Sequence, residues 1–134
     1  MKNKLVVFGL VLLVGCQSPE EVKLDQYKVE GMLAYQKHCE NCHQTDGKGL
    51  ANLYPPLANS DFLKDKNKVI CLIKNGIAGE IVVNGKTYNQ PMPANTNLQE
   101  LDIALITTYI YTQWGNENSI TSIPTVREVL KDCK

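Results

Sequence analysis

Two cysteines and a histidine form the pattern with the clearest chemistry in this chain of 134 residues. Cys39, Cys42 and His43 stand in the order C-x-x-C-H, which is the attachment signature of a c-type haem. Two thiols at this spacing can add to the two vinyl groups on one edge of a porphyrin as thioethers. The histidine that follows then lies under the iron and can donate a ring nitrogen to it. The motif therefore predicts one covalently bound haem c, attached through Cys39 and Cys42, with His43 as an axial ligand.

A C-x-x-C pair alone is also found in redox dithiols and zinc sites. A zinc site needs two more Cys or His ligands at compact spacing, and the remaining candidates, His38, Cys71 and Cys133, form no second close pair. A thioredoxin-like dithiol needs a strand before the pair and a helix after it. Here the preceding residues have a helical pattern, and Pro55 follows soon after. Haem attachment is therefore favoured over both alternatives.

The second axial position of a haem iron decides its chemistry. His38 lies on the same segment as His43 and so cannot reach the opposite face, and Met32 on that segment is expected to pack within a helix. Met92 lies 49 residues after His43, between two prolines that stiffen its loop. A methionine can also fill a gap in a core, but beside a haem that needs a ligand, Met92 is predicted to be the second ligand.

Histidine and methionine together leave no open coordination position, so the predicted function is electron transfer and no catalytic residue is assigned. Two rival functions would need a vacant or labile site. A small haem peroxidase would need one for its substrate, and Met92 opposes it. A gas or redox sensor would also need an output module, for which 134 residues leave no room.

The N-terminal segment has the pattern of an exported lipoprotein. Residues 1–15 combine a basic start with a short apolar run, which is typical of a secretory signal. Small residues precede Cys16 as in a bacterial lipobox, so Cys16 is predicted to be lipidated and to anchor the protein to a membrane. The alternative is an ordinary signal peptide with an incidental cysteine. Residues 16–27 are expected to form the lipidated cysteine and a polar tether, or else an extension packed on the domain.

Charge gives no indication of nucleic-acid binding, which requires a basic surface. The whole chain has 14 Lys and Arg against 14 Asp and Glu. Removal of residues 1–15 takes away two lysines, which leaves 12 against 14 and a net charge of −2.

Periodicity and turn residues predict a mainly α fold with three main helices around one covalently bound haem, a small β-hairpin before the Met92 loop and an extra C-terminal helix. Gly31 would cost about 1 kcal/mol inside the first helix, so it is expected to permit a close helix crossing. The helix from Asn97, with Glu100 in its capping box, is expected to be the longest. The expected elements are helices at 28–39, near 61, at 69–74, 97–115 and 125–132, and a hairpin at 81–88.

Cys71 and Cys133 remain after lipid and haem have taken the other three cysteines. In an exported protein a disulfide can persist, so these two are predicted to form a bridge that joins the last helix to the domain. The alternative is a buried Cys71 and a loose Cys133.

With these residues in hand, the chain resembles the class I cytochromes c, in their bacterial lipoprotein-anchored form. The resemblance covers nearly all of residues 28–115. Gly31 and Tyr35 match the glycine and the aromatic residue that stand twelve and eight residues before the family's haem histidine. Tyr109 matches the aromatic residue with which the family's C-terminal helix crosses that glycine.

The resemblance also implies roles for two residues after the motif. Pro55 and Leu57 match the family's proline and leucine, so the Pro55 carbonyl is expected to accept a hydrogen bond from His43, and Leu57 to pack on the haem. The hairpin and the extension 116–134 depart from the minimal pattern and resemble elaborations in bacterial cytochrome c domains attached to respiratory enzymes. The implied protein is a domain at 28–134 that carries single electrons outside the cytoplasm. Its implied donor is a quinol-oxidising complex or dehydrogenase, and its implied acceptor is a terminal oxidase or reductase.

Overall fold

A computed structural model describes residues 17–133, so the predicted signal sequence (1–15) and Cys16 lie outside the described part of the chain. Helices dominate these residues, and one antiparallel hairpin accompanies them, which confirms the predicted mainly α fold class. No helix within 17–133 is long and apolar enough to cross a membrane. The elements are α1 (Pro19–His38), α2 (Glu40–His43), a 3₁₀ helix (Asp61–Lys64), α3 (Lys66–Asn75), β1 (Ile81–Val83), β2 (Lys86–Tyr88), α4 (Glu100–Trp114) and α5 (Ile123–Lys131).

The first helix begins earlier than the sequence analysis predicted. Ser18 caps α1 by accepting a hydrogen bond from the Glu21 backbone, and the Glu21 side chain accepts one from the Ser18 backbone. This capping box and Pro19 in the first turn start the helix nine residues before the predicted Lys28. Most of the segment expected to be a tether is therefore helical. With 20 residues, α1 is also longer than α4, which has 15, so the prediction that α4 is the longest helix was wrong.

Gly31 lies where α1 and α4 cross. A Cβ atom there would come within 2.9 Å of both the Leu105 carbonyl carbon and Tyr109 Cβ, which is closer than side chains approach. The ring of Tyr35, one turn further along α1, packs at 5.3 Å from that of Tyr109. Glycine therefore permits the close crossing, as predicted. Residues 103–111 of α4 are all buried because α1, α3 and α5 all pack against this helix.

Three other helix starts differ slightly from the prediction, because side-chain caps decide them. The Asp65 side chain caps α3, which begins three residues before the expected Val69. Gln99 is the N-cap of α4 and its backbone N–H donates to the Asp102 carboxylate at 2.8 Å, in place of the predicted pair Asn97 and Glu100. Ser122 caps α5, which begins at Ile123, two residues before the expected Thr125.

The hairpin pairs Ile81 with Tyr88 and turns at Asn84 and Gly85, both of which have positive φ. Asn84 joins this turn to the 3₁₀ helix. Its side-chain oxygen accepts a hydrogen bond from the Asp61 backbone at 2.9 Å, and its own backbone N–H donates to the Asp61 carboxylate at 3.1 Å. These bonds hold the hairpin beside the residues that precede α3.

A disulfide joins Cys71 of α3 to Cys133, just after α5, with their Cα atoms 5.5 Å apart. The side chain of Val126 in α5 is fully buried, and Arg127 makes a salt bridge of 2.7 Å with Glu100. The C-terminal extension is therefore packed on the domain and covalently fixed to it.

Candidate functional site

An open cleft lies between α2, α3, the hairpin and α4. The empty space inside it, including the open mouth, is about 1050 Å³. The six residues predicted to bind haem all line it: Cys39, Cys42, His43, Pro55, Leu57 and Met92. The remaining wall is largely aliphatic and includes Val69, Ile73, Ile77, Ile81, Val83 and Ile110.

His43 ends the short helix α2 and is oriented by a backbone carbonyl. Its Nδ1 lies 3.0 Å from the Pro55 carbonyl oxygen, which can only accept, so Nδ1 carries the proton and donates it. The other ring nitrogen then keeps its lone pair for a metal. Burial lowers the pKa of His43, although the bond to Pro55 opposes this shift. The imidazole is therefore neutral near pH 7, which is the form that binds iron.

A loop with two glycines brings Pro55 and Leu57 to the histidine. The Gly47 carbonyl accepts a hydrogen bond of 2.7 Å from Leu57 N, and Gly49 N donates to the His43 carbonyl at 3.0 Å. Both glycines have positive φ, and a Cβ on Gly49 would lie 2.6 Å from the Pro55 carbonyl oxygen. The turn can therefore close tightly enough to place that oxygen beside the imidazole.

Cys39 and Cys42 are the two cysteines within residues 17–133 that form no disulfide. Burial, and secondarily the nearby Cys42, raise the pKa of the Cys39 thiol to about 12. A redox dithiol instead needs a thiol of low pKa, because the thiolate is its nucleophile. No group of three His, Cys, Asp or Glu side chains that could hold a metal ion occurs among residues 17–133. The two thiols are thus partly buried and unbridged at the edge of an apolar cleft.

Met92 is held on the cleft wall by a two-bond backbone bridge to Ile77. Met92 N donates to the Ile77 carbonyl, and Ile77 N donates to the Met92 carbonyl, both at 2.9 Å. Met32, by contrast, packs against the core outside this cleft. His38 also borders the cleft, but it is exposed and lies at the end of α1. A neutral imidazole, a half-buried thioether, two thiols and an apolar wall together fit a c-type haem.

Comparison with known proteins agrees with this geometry. Residues 29–114 match the cytochrome c family. The chain belongs to the cytochrome c family. This cytochrome is 31% identical over 100 residues to cytochrome c-552 of Thermus thermophilus, an alignment that covers 69% of this chain and 76% of that relative. It is also 33% identical over 93 residues to the cytochrome c subunit of a quinone alcohol dehydrogenase from Gluconacetobacter polyoxogenes, which covers 66% of this chain but 19% of that subunit.

Family membership confirms the resemblance to class I cytochromes c. This cytochrome carries one covalently bound haem c and transfers electrons, and it is not an enzyme.

Several residues that build the cleft were not identified from the sequence. The aliphatic side chains of α3 and the hairpin have no distinctive pattern, since any buried helix face has the same composition. The bridge between Ile77 and Met92 was also missed, although Gly76 offered a signal. A Cβ on this glycine, which has a φ of +67°, would lie 2.7 Å from the Ala94 nitrogen. Gly76 therefore ends α3 and also makes room for the methionine loop.

Proposed function

We propose that this cytochrome is a membrane-anchored carrier of single electrons whose haem is attached through Cys39 and Cys42 and ligated by His43 and Met92. The haem, when bound, supplies an iron that alternates between the ferric and ferrous states. Pro55 would fix the imidazole plane of His43 in both states. The Met92 thioether would favour the ferrous state and raise the reduction potential. Two retained ligands allow electron exchange with little rearrangement.

One observation carries this proposal: the imidazole of His43 and the thioether of Met92 line the same apolar cleft but come from separate, independently fixed segments. His43 is held by Pro55 at 3.0 Å, and Met92 by two backbone bonds to Ile77 at 2.9 Å. Both ligands would therefore be in place before any change of oxidation state.

Two matched methionine substitutions test the ligation. Met92→Leu should abolish the weak sulfur-to-iron absorption band of the oxidised protein and let carbon monoxide bind the reduced form. Met32→Leu removes a sulfur of the same kind from α1, and it should leave both properties unchanged. Retention of the sulfur-to-iron band in Met92→Leu would contradict the proposal, as would its loss in Met32→Leu.

The membrane anchor rests on Cys16 and on the apolar residues before it. Several acyl chains give a stable anchor, because each buried CH₂ contributes about 0.8 kcal/mol. We place the protein on a bacterial membrane, facing the periplasm or the cell exterior. Native protein should then require detergent for extraction, whereas Cys16→Ser should be released without it. A Gln17→Ser variant serves as the control, and native protein that is extracted by buffer alone would argue against the anchor.

The partners are proposed from chemistry and from the relatives. One of those relatives is a cytochrome c subunit of a quinone alcohol dehydrogenase. A quinol-oxidising complex or a dehydrogenase would donate the electron, and a terminal oxidase or reductase would accept it. No nucleic acid is expected. Reduction of the oxidised cytochrome by membranes with an added quinol would support the donor assignment, and failure to be reduced would oppose it.

A further inference from the structure

The loop that carries Met92 starts at the C-terminal end of α3 and returns to it. The chain passes Gly76 and Ile77, forms the hairpin, and comes back to pair Met92 with Ile77 through two backbone hydrogen bonds. Residues 93–99 then lead to α4 without forming a helix or strand. The segment after the methionine therefore lacks the regular backbone bonding that holds the rest of the cleft wall.

Lys74, in the last turn of α3, supplies bonds to this segment. Its ammonium group donates to the carbonyl oxygens of Thr96 and Leu98, both at 2.8 Å. Its own carbonyl accepts a hydrogen bond of 3.0 Å from Asn95 N. The Asn95 side chain donates to the neighbouring Ile73 carbonyl at 3.4 Å. Lys74 thus bonds to the loop at Asn95 through its backbone carbonyl, and at Thr96 and Leu98 through its side chain.

A lysine suits this position because it has three donors and no acceptor. A single ammonium group can therefore donate to two carbonyl oxygens of one loop and hold these two parts of the loop close together. Leu98 is buried, so its carbonyl has limited access to water as a substitute donor. Loss of the ammonium group would leave this carbonyl with poorer bonding and let residues 93–99 move away from α3.

We propose that Lys74 is a positioning residue for the axial ligand: it clamps the segment after Met92 to α3 and so keeps the thioether on the iron. This inference rests on the proposed ligation by Met92. Lys74 does not touch the cofactor site itself, since it is absent from the cleft lining. Its effect is transmitted through the backbone of residues 92–98.

The experiment compares three variants of the holo-protein. Lys74→Met removes the donors and keeps a similar length, whereas Lys74→Arg keeps the charge and the donors. Lys64→Met removes an exposed lysine of the 3₁₀ helix and is the control for lost charge. The probe is imidazole, which binds ferric iron only when the methionine is displaced. The readouts are its affinity, the sulfur-to-iron band and the denaturation midpoint of each variant.

Lys74→Met should bind imidazole about tenfold more tightly, which corresponds to about 1.4 kcal/mol, and should have a weaker sulfur-to-iron band. Lys74→Arg should bind imidazole almost as weakly as the native protein, and Lys64→Met should bind it with the native affinity. Equal imidazole affinity in Lys74→Met and Lys64→Met would overturn the inference if the native protein has the sulfur-to-iron band. A native protein without that band would refute ligation by Met92 itself, so the two failures are distinguishable.

Discussion

Substitution of Gly31 by alanine should destabilise the protein, although alanine is the better helix former. A Cβ at this position would lie 2.9 Å from the Leu105 carbonyl carbon and from Tyr109 Cβ. These are a backbone atom and the root of a buried side chain, so neither can rotate away. Overpacking of this kind lowers the free energy of unfolding by about 3 kcal/mol, and the higher helix propensity of alanine raises it by about 1 kcal/mol. The net loss of unfolding free energy should be about 2 kcal/mol.

Guanidinium titration of the oxidised holo-protein measures this loss. With a slope of about 3 kcal/mol per molar, the midpoint should fall by about 0.7 M. Gln36→Ala is the control, because Gln36 is an exposed position of α1. It should leave the midpoint nearly unchanged. A Gly31→Ala variant as stable as the native protein would refute the argument, because α1 and α4 would then not cross at the distance described.

Two further predictions concern stability, and a third concerns the position of Met92. The Cys71→Ser, Cys133→Ser double variant opens a loop with a sequence separation of 62 and should lose about 4 kcal/mol in denaturant titration; an unchanged midpoint would contradict this. Arg127 lowers the pKa of Glu100, chiefly by hydrogen bonding, so the pair should stabilise the fold above the unfolded pKa of about 4.3 and lose this effect as pH falls through the folded value. A Glu100→Gln variant should therefore be less stable than the native protein in denaturant titration at neutral pH and equally stable in acid. A difference in stability that does not change with pH would contradict this prediction. Gly76→Ala should weaken the sulfur-to-iron band, because a Cβ would strike the Ala94 backbone; an unaltered band would count against the tight approach.

Local signals explain what the sequence predicted well. The predicted bounds of the hairpin at 81–88 were correct to the residue, because Asn and Gly, here Asn84 and Gly85, are the residues that tolerate the positive φ of a tight turn. The crossing at Gly31 followed from the cost of a glycine inside a helix. Cys39, Cys42, His43 and Met92 were expected to share a site because of the order C-x-x-C-H and the shortage of other candidate ligands, and all four line the cleft. Pro55 and Leu57 were expected there from the resemblance to class I cytochromes c.

The errors came from competing caps and from packing at long range. Ser18 starts α1, but the polar residues after it have no strong apolar period, so the segment resembled a tether. Gln99 caps α4 in place of Asn97, and both are polar residues close together before the same helix. The clamp by Lys74 depends on carbonyls that lie 22 and 24 residues away, and no pattern of side-chain types encodes such a contact.

The central claim is that iron in this cytochrome is ligated by both His43 and Met92 and has no open position. Absorption spectra of the purified holo-protein, oxidised and reduced, with carbon monoxide added to the reduced form, test it most directly. We predict a low-spin reduced spectrum, the weak sulfur-to-iron band when oxidised, and no change with carbon monoxide. A high-spin spectrum that shifts when carbon monoxide is added would contradict ligation by Met92 and with it the proposed role as a simple electron carrier.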